Sequence, residues 1–510
     1  MKILDCTLRE GGYYTNWDFE KKIVQNYSKS MQKLPIDFIE IGYRNPKLKG
    51  YYGEYYYCKL STIEFIQQFT NKNLAIILNE KDVDSSIIHD LINPIYKKVD
   101  LIRMAVNPIN ISGAIKKAEI IKKMGFNVAF NVMYMSKWNN YNKLFFELSN
   151  LNGVVDYFYM VDSFGGVFPE TIKATINKIK SISDIKIGFH GHNNLELSLI
   201  NTLTAIEEGV DIVDSTITGM GRGAGNLKTE LLLTVLNKMD LLNVDMNSLT
   251  NTTNDFYNIQ KKYNWGTSLP FMVSGSNNLP QKDVMSWMGK GFYSLNTIVQ
   301  ALANKKSNID DNLKLPEFKS KISNSKVLIV GGGPSVKNHI NAIIEILNKN
   351  TSIILIHASS KNSHLFKNIS NEQFFCLVGD EGTRLVQTLN VSDSFEHICI
   401  TPQYPRKMGT HIPNSLLSNS FELSNKPLDF DLKDTHLSVS LDLSIILDCS
   451  VLYLVGYDGY KLHKNIQQEI EIFNDNNKLF DLFFKKYKIK PKALTPTEYN
   501  IEKQSIYSIL

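Results

Sequence analysis

At 510 residues the chain is too long for one hydrophobic core, so two or more domains are expected. Its 43% hydrophobic and 21% charged content is that of an ordinary soluble globular protein. A net charge of +5, with no basic run interleaved with aromatics, argues against nucleic acid or an anionic membrane as partner. The five scattered cysteines (Cys6, Cys58, Cys376, Cys399, Cys449) include no CxxC pair, which argues against a disulfide framework and suits a reducing cytoplasm. The opening MKILDCTL offers no apolar signal core before a cleavage site, and no apolar run is long enough to span a bilayer, so a soluble, cytoplasmic protein is expected.

A β-then-α rhythm recurs eight times from the N-terminus. The expected strands are Lys2–Leu8, Asp37–Tyr43, Leu74–Asn79, Asp100–Val106, Asn127–Tyr134, Asp156–Asp162, Lys186–His190 and Asp211–Ile217. Between them lie amphipathic, lysine-bearing stretches such as Gly113–Met124 and Pro169–Ile182. Near-continuous apolar strands suit a parallel sheet buried on both faces. Eight units in residues 1–245 predict a (β/α)8 TIM barrel, favoured over a doubly wound open sheet. Residues 246–303 read as a helical extension, and 304–325 as a linker. Residues 326–510 read as a smaller Rossmann-like α/β domain with a helical tail running from Lys461 to about Tyr487, then irregular.

The richest segment is IKIGFHGHNN, Ile185–Asn194. Residues two apart on a strand point to the same side, so His190 and His192 would emerge together at a strand tip, spaced for one divalent cation. Glu10, in LDCTLREGG after the first strand, offers a carboxylate at the same end of a barrel. Two imidazoles and one carboxylate make an open, catalytic type of site. Other polar residues fall at strand ends or inside strands: Arg9, Glu40, Tyr43, Arg103, Asp162 and Ser163. For Glu40, Arg103 and Asp162, direct catalysis and an internal ion-pair network are equally weighted readings. The loop Gly219–Asn226 (GMGRGAGN) follows the last strand, where such barrels commonly bind anions.

LDCTLREGG, HGHNN and GMGRGAGN, in that order, resemble the metal-dependent pyruvate aldolases related to 4-hydroxy-2-oxovalerate aldolase. More broadly, they resemble the superfamily of hydroxymethylglutaryl-CoA lyase, isopropylmalate synthase and homocitrate synthase. The resemblance runs to about residue 300. It implies that Glu10, His190 and His192 bind Mn²⁺ or Mg²⁺, with Asn226 at a further ligand position. It implies that Arg9 contacts the keto oxygen of a 2-oxo acid and that Ser163 holds its carboxylate; Arg103, from its place in the fourth strand, is a further candidate substrate contact. An aldehyde would be the second substrate, and a homo-oligomer the assembly. Two positions depart from the aldolase pattern: Glu10 stands where those enzymes carry Asp, and Tyr13 where they carry a histidine base. Tyr13 or its neighbour Tyr14 is then the acid/base, or else both wall the pocket. A Claisen-type acyltransferase using acyl-CoA, and a metal- or ligand-binding module without catalysis, are the competing readings.

In the second domain, Gly331-Gly332-Gly333-Pro334-Ser335 follows a strand and suggests backbone amides presented to an anion. Val336 and His357 break the dinucleotide fingerprint. Together with Asp458 in YLVGYDGY, the turn loosely resembles Rossmann-like transferases that handle nucleotide sugars or pterin diphosphates. That resemblance implies a nucleotide or nucleotide-sugar partner. It would fit a sugar-derived aldehyde and polysaccharide biosynthesis.

Overall fold

Eight parallel strands close on themselves in chain order: β1 (Lys2–Asp5), β2 (Phe38–Tyr43), β3 (Asn73–Asn79), β4 (Leu101–Val106), β5 (Asn127–Val132), β6 (Tyr157–Asp162), β7 (Lys186–Gly191) and β8 (Ile212–Ser215), with β8 pairing back onto β1. The computed structural model describes residues 1–290, 295–307, 313–404, 406, 410–424, 435–459 and 467–510. The chain divides into two units, Met1–Met285 and Ser286–Leu510. In the barrel, side chains alternate between two cores. Leu4, Ala75, Leu101, Ala129 and Tyr159 pack inside the barrel. Ile3, Ile76, Ile102, Val128 and Phe158 pack outward against the helices. Both faces of every strand are thus covered, which is why the strands read as unbroken apolar runs.

β1 and β8 depart most from the expected ranges, each three residues short, and β5 ends two residues early, at Val132. β1 stops at Asp5 because LREGG folds as the helix Thr7–Thr15 rather than extending the strand. Asp5 fixes that turn: its carboxylate accepts hydrogen bonds from the Thr7 N–H (3.0 Å), Thr7 Oγ1 (2.5 Å), Tyr27 Oη (2.6 Å) and Thr229 Oγ1 (2.6 Å). One buried carboxylate therefore ties the first strand to the helices Lys21–Lys33 and Thr229–Lys238. β8 likewise ends at Ser215, short of the expected Ile217.

Beyond the barrel lie helices Met246–Tyr263, Leu269–Ser276, Gln281–Lys290 and Leu295–Lys306. The division between the units falls inside the third of these, so the expected extension 246–303 is shared between them. The stretch 304–325 is not plain linker. It contains the last turn of helix Leu295–Lys306 and strand β9 (Glu317–Phe318), while 308–312 lie outside the described residues.

The second unit is built on a nine-stranded sheet formed by β9, β10 (Ser325–Val330), β11 (Ile353–His357), β12 (Gln373–Cys376), β13 (Ile398–Thr401), β14 (Ser420–Leu423), β15 (Cys449–Val455), β16 (Lys492–Ala493) and β17 (Glu502–Lys503). Their order is β17-β16-β15-β10-β11-β12-β13-β14-β9, every pair parallel. This is compatible with a Rossmann-like arrangement, the order reversing between β10 and β15. The tail expected to be irregular supplies β16 and β17. The helix expected from Lys461 is described over Gln467–Tyr487, and 460–466 lie outside the described residues. No described helix is long and apolar enough to cross a membrane.

Removing the Asp5 carboxylate leaves several buried donors unpaired. Asp5→Ala should lower the free energy of unfolding of the barrel by about 3 kcal/mol, read from the denaturant midpoint.

Candidate active site

Helix Thr7–Thr15 carries Glu10 in its first turn, and β7 delivers His190, with His192 just beyond its end. Glu10, His190 and His192 each offer one ligand atom, and these atoms lie within 4.8 Å of one another. The His190 Nε2 is 3.8 Å from Glu10 Oε1, while its Nδ1 is 2.8 Å from Asp214 Oδ2. The carboxylate at Nδ1 fixes the tautomer and turns the Nε2 lone pair toward Glu10, the support that a metal-binding imidazole needs. Burial holds both imidazoles below the ordinary histidine range. At His190, Asp214 partly opposes that effect, whereas at His192 the neighbouring His190 and Arg222 add to it. Both are therefore neutral and able to ligate.

The donor set fits a divalent cation on a second count. Among the described residues, the buried Glu10 Oε2 and Asn226 Oδ1 have no hydrogen-bond partner. Asn226 spends its amide hydrogen on the Met220 carbonyl (3.0 Å) and lies opposite His192. A second cluster, Cys6–His190–Asp214, fits less well. Burial pushes the Cys6 thiol well up, and Asp214 is already bound to Arg103 at 2.5 Å.

Behind the ligands runs a buried line of alternating charge. Arg9 Nη1 contacts Glu10 Oε1, Arg9 Nε meets Glu40 Oε2 at 2.8 Å, and Arg103 Nη1 meets the same oxygen at 3.0 Å. Arg103 Nη2 reaches Asp214, which closes on His190. Arg103 Nε donates to Asn131 Oδ1 (2.9 Å), and the guanidinium lies 4.2 Å from the centre of the Tyr159 ring. This corrects the expectation that Arg103 meets substrate: it is fully buried, and all three of its nitrogens are committed inside the barrel. Asp162 belongs to the structure as well. It accepts the Gly166 and Val167 N–H groups after β6, and burial pushes its carboxyl up to about 6.

These ligands open into a cavity of about 480 Å³. Arg9, Tyr13, Ser163 and Arg222 line it with them. Ser163 Oγ accepts the Tyr134 N–H at 2.8 Å. Tyr13 Oη is 2.8 Å from Tyr43 Oη, and the Arg222 guanidinium lies 4.4 Å from the centre of its ring. Burial alone would raise the Tyr13 phenol, but Arg222, Arg9 and the Tyr43 hydrogen bond outweigh it and hold the phenol below its ordinary value. Tyr14 does not reach the cavity. It packs on Tyr263 and Trp265, its hydroxyl faces the Gly223 carbonyl, and burial raises its phenol.

Three residues escaped the sequence reading. Asp214 could have been found as a lone charge in the apolar strand Ile212–Ser215. Arg222 lay inside the quoted glycine loop. Gln281 carried no signal, yet its Nε2 donates to Asn194 Oδ1 (2.9 Å) and lies 3.3 Å from His192 Nδ1, while its Oε1 accepts the Ala224 N–H (3.1 Å). The glycine loop has to pass close by. Gly223 and Gly225 have φ of +60° and +80°, and a Cβ on Gly225 would sit 2.2 Å from the Gly219 carbonyl oxygen.

In the second unit the glycine turn is filled from within. Asp458 Oδ2 accepts the Ser335 N–H at 2.9 Å, Oδ1 accepts the Ser335 hydroxyl, and a Cβ on Gly333 would lie 2.5 Å from Oδ1. Of the donors expected to meet an external anion, Ser335 is taken by Asp458, and the Gly331 and Gly333 N–H groups by the Val455 (2.8 Å) and Gly456 (2.9 Å) carbonyls. A cavity of about 230 Å³ opens beside them instead, lined by Gly331, Gly332, Ser359, Arg384, His436 and Tyr457 among others.

Comparison with known proteins agrees with this geometry. The HMGL-like family model matches residues 100–261. The chain is 27% identical over 252 residues to a 4-hydroxy-2-oxovalerate aldolase of Bacillus cereus, spanning 48% of this chain and 72% of that one. It is 29% identical over 244 residues to the enzyme of the same name from Carboxydothermus hydrogenoformans, spanning 47% and 71%. Among solved structures, the N-terminal domain of a candidate aldolase from Bacteroides vulgatus is 51% identical with a TM-score of 0.57, covering 59% of this chain and all of that domain. With a closed eight-stranded barrel, a neutral two-imidazole and carboxylate cluster, and these relatives, the chain belongs to the HMGL-like TIM-barrel superfamily, and its barrel is a carbon–carbon lyase of the metal-dependent aldolase kind.

Proposed function

We propose that the barrel makes or breaks a carbon–carbon bond beside a pyruvate-type enolate, with an aldehyde as second substrate and Mn²⁺ or Mg²⁺ as the cation. The convergence of Glu10, His190 and His192 beside two unpartnered buried oxygens, on a cavity that also holds Arg9, carries this reading. The relatives named 4-hydroxy-2-oxovalerate aldolase support the same bond disposition, a hydroxyl on C4 of a 2-oxo acid.

A divalent cation held by Glu10, His190, His192 and the Asn226 amide oxygen would draw electron density from the keto oxygen of the 2-oxo acid. Ser163 Oγ accepts a backbone N–H and keeps its own proton for the substrate carboxylate. Arg9, pinned by Glu40, holds its positive charge at the keto oxygen, where negative charge grows as the bond breaks. In cleavage, Tyr13 Oη takes the proton of the C4 hydroxyl and the C3–C4 bond breaks. The aldehyde leaves, and its bonding pair stays on C3 as the enolate. The same proton, returned to C3, gives the pyruvate methyl. Addition runs these steps backwards. Tyr43 steadies the phenolate by hydrogen bonding to Tyr13 Oη.

Incubation of the protein with pyruvate and Mn²⁺ in deuterated water, followed by proton NMR, tests the reading. Methyl protons should exchange, and Arg9→Ala or His190→Ala should abolish the exchange. Exchange only with an acyl thioester present would favour the Claisen reading. Absence of both exchange and Mn²⁺ uptake would leave a binding module.

Three further outcomes follow from the same geometry. Asp214→Asn should weaken Mn²⁺ binding, measured by calorimetry, about 10- to 100-fold, because His190 loses its orienting carboxylate. Tyr13→Phe should lower kcat for aldol cleavage about 10²- to 10⁴-fold. Cleavage needs the phenolate, so its rate should rise with pH through the lowered Tyr13 pKa. Arg222→Gln should shift that rising limb to higher pH, because it removes the largest influence favouring the phenolate.

A further inference from the structure

Of the cations on the barrel cavity, Lys81 and Lys282 have no part in the chemistry above, and Arg222 enters it only through the ring of Tyr13. Lys81 follows β3, Arg222 sits in the glycine loop after β8, and Lys282 lies on helix Gln281–Lys290, yet all three line the same 480 Å³ space. The acidic residues on that lining are already matched. Glu10 is held by Arg9, and Glu80 is pinned by Lys117, whose Nζ lies 2.6 Å from its carboxylate and 2.7 Å from its backbone carbonyl. Among the described residues, Lys81, Lys282 and Arg222 have no carboxylate partner. The contact made by the half-buried Arg222 guanidinium is with the face of Tyr13.

Lys81 and Lys282 are exposed and Arg222 is half-buried, and cations gathered around a concave opening raise the local concentration of anions. A guanidinium also presents a planar fork that suits carboxylate or phosphate oxygens. The amides of Asn79, Asn107 and Asn110 line the same cavity and offer donors and acceptors for hydroxyl groups.

We infer that the aldehyde co-substrate is a hydroxylated, anionic one, whose phosphate ester or carboxylate is bound by Arg222, Lys81 and Lys282 away from the reacting carbon. This rests on the enolate reading of the same cavity. A 2-oxo acid alone has its carboxylate and keto oxygen served by Ser163 and Arg9, so the three further cations answer to the other substrate.

The full chain with Mn²⁺ and pyruvate is assayed for aldol addition to two pairs of aldehydes: glyceraldehyde 3-phosphate against glyceraldehyde, and succinic semialdehyde against butanal. The charged member of at least one pair should have a kcat/KM about tenfold or more higher, and the advantage should shrink in about 0.5 M NaCl. Which pair responds identifies the anion as phosphate or carboxylate. In a Lys81→Gln/Lys282→Gln double variant the ratio should fall to within about twofold. Equal rates for charged and uncharged aldehydes, or a preference that survives in the double variant, would overturn the inference. Methyl exchange of pyruvate alone is measured in parallel. With exchange present and the preference missing, only the anion site falls; with exchange missing from the wild-type protein, the enolate reading falls and takes the anion site with it.

Discussion

Three carboxylates and two guanidiniums share the barrel's interior, and the sign of charge alternates from Glu10 through Arg9, Glu40 and Arg103 to Asp214. Each ion removed from water costs several kcal/mol, and mutual attraction repays that cost only with close geometry and satisfied lone pairs. Here the geometry is close, but satisfaction is incomplete. Glu40 Oε1 and Asp214 Oδ1 have no partner among the described residues. A network built for stability alone would be expected to satisfy these oxygens or replace them with packed hydrocarbon. What the network does is hold two side chains that open on the cavity. Arg9 is fixed through Glu40, and His190 through Asp214. Burial of Arg103 is then a consequence of function, because it joins those two supports across the barrel.

The same logic explains how a phenol can stand at an acid/base position. Tyr13 is enclosed by aromatic neighbours: Trp17 lies edge-on at 5.0 Å, and Trp17 in turn contacts Tyr43 and Tyr56. An unassisted phenol in such a wall would hold its proton tightly. Arg222 over the ring and Tyr43 at the hydroxyl reverse that balance. Imidazole needs no such help near neutral pH. A tyrosine at this position therefore depends on a cation that a histidine would not need, and the glycine loop supplies it.

Much of this was legible in the chain. The eight strands announce themselves as apolar runs, and His190, His192 and Glu10 meet because strand alternation and barrel closure leave them little choice. Legibility ended where partners come from distant strands. Arg103 shares the inward face of β4 with Leu101, but nothing local says that Glu40 on β2 and Asp214 on β8 will engage its guanidinium. The helical fate of LREGG was hidden because two glycines and a preceding strand disguise it, while the deciding contacts lie at Tyr27 and Thr229. β16 and β17, two residues each, are too short to carry any periodicity.

The glycine turn of the second unit makes a complementary point about motifs. Glycines after a strand permit close approach, and the sequence alone leaves open what approaches. In this chain it is Asp458, which crosses from the end of β15 to the end of β10, where the strand order reverses. Its carboxylate takes the Ser335 N–H and hydroxyl that an exogenous anion would have used, and the spacing at Gly333 leaves no room for a side chain. The turn therefore works as an internal clasp between two strands. One loop away Glu381 is likewise satisfied from within: burial would raise its carboxyl, but His436, Arg384 and the Ser360 hydroxyl hold it near pKa 2. Donors already satisfied from within add rigidity to a fold, and recognition falls to groups that still have valence to spare.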